Sequence, residues 1–98
     1  MTKNEVLDRL SDEGLRKLLC DGHIIEYIDG DDVYYDNSLH SKPNTFGVYH
    51  KQVADIYVFF VTDDERGTLY YHSNHKTEDE AYTAMYKFIV RAYRAFNK

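Results

Sequence analysis

Residues 77–96 read TEDEAYTAMYKFIVRAYRAF, and this stretch decides the fold. Thr77 is placed to cap a helix, and Glu80, three residues on, is placed to reach back in a capping box. Glu78, Asp79 and Glu80 crowd the first turn, while Arg91, Arg94 and Lys98 gather at the far end. Each charge type therefore sits where the helix dipole favours it. Ala81, Met85, Phe88, Ile89, Ala92 and Phe96 recur at helical spacing and form one apolar face. Tyr82, Tyr86 and Tyr93 flank that face, with Lys87, Arg91 and Arg94 opposite. A face this wide and aromatic needs a large apolar partner, and the segments upstream read as the sheet that supplies it.

Working back from the helix, Thr68–His72 is strand-like and follows the polar turn Asp63-Asp64-Glu65-Arg66-Gly67. Ile56–Thr62 is apolar on both faces, the pattern of a central strand. Thr45–Lys51 alternates, with Phe46, Val48 and His50 on one face and Gly47 and Tyr49 on the other. Residues 37–44 read as a loop and hold the only proline, Pro43. His23–Ile28 and Val33–Asp36 are β-branched and aromatic runs joined through Asp29-Gly30, which reads as a hairpin. At the start, Thr2 and Glu5 form a second capping box, and residues 3–20 are helical in pattern. Ser11 and Gly14 leave open one bent helix or two short ones. The expected fold is α+β: an antiparallel sheet of about five strands, a C-terminal helix on one face, and an N-terminal helical segment beside it or at an edge.

The chain has 98 residues, enough for one domain with one two-layer core. Ten tyrosines and five phenylalanines make it aromatic-rich without tryptophan. The single cysteine, Cys20, permits no internal disulfide. Met1–Glu5 runs straight into an amphipathic pattern and no apolar run approaches spanning length, so the expected compartment is the cytoplasm.

The net charge is −5 and unevenly spread. Asp21, Glu26, Asp29, Asp31, Asp32 and Asp36 fall in residues 21–36 without a Lys or Arg, and Asp55, Asp63, Asp64 and Glu65 follow in 55–65. An acidic middle opposes nucleic-acid binding through phosphates. It suits either a basic protein partner or a solvated surface that aids solubility. Tyr34 and Tyr35 lie among the acids, and tyrosines make rigid anchors in protein interfaces.

Other chemistry is less well supported. His23, His40, His50, His72 and His75 are potential ligands, but none shows a metal-site spacing. Residues 29–36 lack the glycine and glutamate positions of a calcium loop. No phosphate loop, nucleophile elbow or Cys–His motif is present. Neither metal nor cofactor is expected, nor enzymatic activity.

The run Tyr57–Gly67, followed by a strand and then Thr77-Glu78-Asp79-Glu80-Ala81-Tyr82, resembles the second half of small bacterial immunity proteins, the partners of polymorphic toxins. The immunity protein fifty-nine family is the most similar in pattern, over roughly residues 45–90. The chain departs from it in lacking a tryptophan ahead of the long strand and a glycine pair before the hairpin. The resemblance implies a cytoplasmic, non-enzymatic inhibitor that binds one toxin domain and blocks its site. With the charge pattern, the expected toxin-binding residues are Asp29, Asp31, Asp32, Tyr34, Tyr35, Asp36, Asp63, Asp64 and Glu65. A small ligand-binding or regulatory module, with a pocket between helix and sheet, is the alternative. A metal-assisted hydrolase using the histidines is a third reading.

Overall fold

The computed structural model describes residues 1–12, 24–29, 45–62 and 69–96. Two helices, α1 (Lys3–Asp12) and α2 (Glu78–Phe96), bracket the strands β1 (Ile24–Asp29), β2 (Thr45–Lys51), β3 (Ile56–Thr62) and β4 (Leu69–His75). The architecture is α+β, with one four-stranded sheet in the order β1-β2-β3-β4. Both helix starts carry the caps read from the sequence. The Glu5 amide donates to Thr2 Oγ1 at 3.2 Å and the Glu80 amide to Thr77 Oγ1 at 3.2 Å. The Glu80 carboxylate reaches back one residue further than expected, accepting from the Lys76 amide at 3.2 Å.

Strands β2, β3 and β4 form the expected antiparallel meander. Strand β1 corrects the expectation of a wholly antiparallel sheet, because it pairs parallel to β2, with Ile24 beside Thr45 and Asp29 beside His50. A parallel pair needs a crossover of a dozen or more residues, and residues 30–44 provide fifteen. The Asp29-Gly30 turn signal suggested an immediate hairpin. Tertiary pairing gives β1 a parallel partner beyond that segment. The sheet has four strands among the described residues rather than about five, and the expected arm Val33–Asp36 lies outside them. So does the question of one helix or two, beyond Asp12. Strand β4 runs three residues past the expected His72, because Ser73, Asn74 and His75 pair with Phe59, Val58 and Tyr57.

Side-chain alternation assigns the two sheet faces. Phe46, Val48, Phe59 and Val61 share one buried cluster with Val6 and Leu10 of α1 and Ala81, Tyr82, Met85 and Ile89 of α2. Of the two sets of β3 residues that could have met α2, the Tyr57–Phe59–Val61 set is the one that does. Phe88 is half-buried at the rim of this contact. Its ring centroid lies 6.1 Å from Phe46, 5.6 Å from Phe59 and 5.1 Å from Tyr71, edge-on to the first two and stacked on the third. Such pairs add to plain area burial. On the other face, Tyr49, Val58 and Phe60 form a second buried cluster. Gly47 lies beneath the Phe60 ring, where a Cβ would stand 2.3 Å from the ring's ζ carbon.

These contacts rank three substitutions. Gly47→Ala drives a methyl into a buried ring with nowhere to go, and should cost about 1–3 kcal/mol. Phe59→Ala empties a fully buried site and should cost about 3–5 kcal/mol. Phe88→Ala should cost less than Phe59→Ala, since its ring is only half-buried. Urea unfolding of the three variants measures the order, and a larger loss at residue 88 than at 59 would contradict this packing.

Candidate functional site

Strand direction determines where the acidic segments leave the sheet. Because β1 runs parallel to β2, Asp29 at its end lies at the level of His50. Strand β3 runs the other way, so its end lies at the start of β2, where the Thr45 amide donates to Thr62 Oγ1 at 2.9 Å. These levels are five residues apart on β2, roughly 17 Å at about 3.3 Å per residue. The chain therefore enters the 29–36 segment from one end of the sheet and the 63–65 segment from the other. Of the residues expected to bind a toxin, Asp29 is within the described chain. Asp31, Asp32, Tyr34, Tyr35, Asp36, Asp63, Asp64 and Glu65 lie outside it.

At the Asp29 end, backbone register aligns Asp29, His50, Tyr57 and His75 in one row across all four strands. His50 stacks on Tyr57, with centroids 4.4 Å apart and planes within 9°. Its Nε2 lies 3.3 Å from Asp55 Oδ1. Asp55 ends the β2–β3 turn with φ of 49°, a left-handed conformation that aspartate tolerates better than most side chains. On β4, Ser73 Oγ and His75 Nε2 are hydrogen-bonded at 2.7 Å. Sequence reading treated His50 as one of five scattered histidines. Its stack with Tyr57 could have been found from the short turn that joins their strands and sets their register.

Among the described residues, His50, His72 and His75 do not converge on a common ligand position. His72 and His75 alternate to opposite faces of β4, and His50 and His75 are separated by the whole of β3, about 10 Å at the usual strand spacing. No group of three metal-ligating side chains occurs among the described residues. No helix there is long and apolar enough to cross a membrane.

An open cleft of about 610 Å³ runs along α2 beside His75, Asp79, Glu80, Thr83 and Lys87. The Met1 ammonium lines it, donating to the Asp79 carbonyl at 3.3 Å and to Thr83 Oγ1 at 3.0 Å. Beneath α2, Tyr82 is fully buried and its hydroxyl has no hydrogen-bond partner among the described residues. Burial is the main cause that pushes its ionisation far above the usual range, with the nearby charge of Glu78 and then Tyr27 adding to it. The sequence placed Tyr82 only on the flank of the apolar face. In the structure it belongs to the buried cluster that α1, α2 and the sheet build together.

Comparison of the chain with protein-family models, with curated proteins and with solved structures finds no match.

Tyr82 supplies the pH prediction. The unfolded chain ionises this phenol near pH 10, whereas the folded chain holds it neutral to higher pH. Above about pH 10 the unfolded state binds fewer protons, so stability falls as pH rises. Tyr82→Phe removes both the titration and an unpaired buried hydroxyl. It should be neutral or stabilising by about 1 kcal/mol near pH 7, with a shallower alkaline loss. Urea midpoints at neutral and alkaline pH test this, and a marked destabilisation at pH 7 would reveal a partner for the hydroxyl.

Proposed function

We propose that this chain is an immunity protein: a non-enzymatic, cytoplasmic inhibitor that binds a cognate bacterial toxin domain and covers its active site. The observation that carries the proposal is the run of acids in residues 29–36, free of Lys and Arg and holding Tyr34 and Tyr35. It begins at Asp29, the end of an ordered strand. Acids steer a basic partner into encounter, and tyrosines anchor it once docked. A nuclease is the toxin class this chemistry fits best. Carboxylates would occupy the sites of substrate phosphates, and aromatic rings would exclude water. The resemblance of Tyr57–Gly67 and Thr77–Tyr82 to immunity proteins supports the same reading. The ligand-module alternative has less support. The contact between α2 and the sheet is filled by Phe46, Phe59, Met85 and Ile89, each at most 5% exposed, and the cleft lies on the outer side of α2.

The proposal expects a toxin domain to be encoded next to this gene, and that domain is the binding partner for the test. Asp31, Asp32 and Asp36 replaced together by Asn should slow association and flatten its salt dependence, with little change in dissociation. Replacing whichever of Tyr34 and Tyr35 faces outward should speed dissociation, by about 2 kcal/mol or more. The same Asn series at Asp63, Asp64 and Glu65 asks whether the opposite end of the sheet is used instead. If both series leave association and its salt slope unchanged, the acids serve solubility and the interface lies elsewhere.

A further inference from the structure

We propose that the outer edge of β4 is a homodimer interface, in which β4 pairs antiparallel with β4 of a second copy about a twofold axis near His72. Among the described residues β4 pairs with β3 alone, and Tyr71, His72 and Asn74 along it are exposed. Exposed edges are normally blunted by Lys, other charges or Pro. The seven residues LYYHSNH of β4 contain no Asp, Glu, Lys, Arg or Pro. The opposite edge strand, β1, carries Glu26 and Asp29. Self-pairing of β1 would set acid near acid in a chain already at −5, whereas self-pairing of β4 opposes no like charges.

The helix above the edge is also self-complementary. Glu80, Ala84, Phe88 and Arg91 form one stripe of α2, and Phe88 ties that stripe to β4 through its stack on Tyr71. Glu80 and Arg91 are exposed at opposite ends of the stripe, with half-buried Ala84 and Phe88 between them. Tyr71 is 44% exposed on the same face. A twofold axis near His72 falls level with the middle of this stripe, since Glu80 lies near His75 and Phe88 near Tyr71. The two copies of α2 then run antiparallel, and Glu80 of each faces Arg91 of the other. Helix α2 rests on β2, β3 and β4, so its axis lies over β3. At about 4.8 Å between strands, the two helix axes stand roughly 14 Å apart. Glu80 and Arg91 are long enough to span that gap, and Tyr71 and Phe88 of both copies fill it. The product is a closed, isologous dimer with an eight-stranded sheet.

Sedimentation velocity from low micromolar to near-millimolar protein tests the proposal. The expected result is a monomer–dimer equilibrium. Arg91→Glu sets acid against Glu80 and should weaken the dimer about tenfold or more. Adding Glu80→Arg restores opposite charges and should recover association. Glu80 also accepts a hydrogen bond from the Lys76 amide, so thermal midpoints of the variants are measured alongside. If the double variant does not fold, amide exchange of wild-type Asn74, whose amide alternates away from β3, decides: it should slow as concentration rises through the dimer range. A monomer at every concentration, open-ended aggregation, or a dimer indifferent to Arg91→Glu with unprotected β4 amides would each overturn the proposal.

Discussion

The seating of α2 on the sheet is the contact on which the rest of the structure depends. Met85 and Ile89 press into Phe46, Val48, Phe59 and Val61, and Phe88 closes the rim against Tyr71. Helix α1 is held through this contact, since Val6 and Leu10 are buried in a cluster that α2 helps to build. A small domain buries a limited share of its surface, so one wide helix–sheet joint must supply much of its stability. The second sheet face contributes separately, through Tyr49, Val58 and Phe60. There a side chain of zero size is the requirement, because the Phe60 ring occupies the space above Gly47.

Around this joint the molecule divides its surface. The helices occupy one face of the sheet, the 29–36 acids follow from the end of β1, and β4 forms the far edge. Strands β1 and β4 are three strand spacings apart, about 14 Å. A partner bound beyond Asp29 and a second copy bound along β4 would therefore use different parts of the chain. The two proposals rest on different physics, long-range charge in one case and backbone pairing in the other, and neither requires the other. An α+β sheet with packed helices hosts many activities, so the functional argument rests on these surfaces and not on the architecture.

Much of this was legible in the sequence where local and tertiary preferences agree. Helix α2 announced itself through its caps, its charge gradient and its apolar period, and the two faces of β2 followed from simple alternation. The parallel placement of β1 was not legible, because Asp29-Gly30 is a local signal and the parallel partner strand lies beyond residue 44. The last three residues of β4 were hidden for a related reason: Ser73 and Asn74 have poor strand propensity, and pairing with Val58 and Phe59 overrides it. Tyr82 looked like a flanking residue because a single helix was considered, and its burial belongs to a cluster that several elements share. The acidic candidates were legible as a charge pattern, but a charge pattern names a kind of partner and not a geometry.

The parallel strand has a kinetic consequence. Strands β2, β3 and β4 and helix α2 follow one another in sequence and meet through short links, so their contacts form with little loop-closure entropy. Strand β1 reaches β2 only after the longer 30–44 segment closes, and among the described residues it gains one strand neighbour for doing so. It is therefore the strand that docks late and the one whose release leaves the meander and α2 intact. Docking of β1 is a local equilibrium, separate from global unfolding. A partner that grips residues beyond Asp29 draws on that equilibrium, and the affinity it achieves includes the work of holding one edge strand in place.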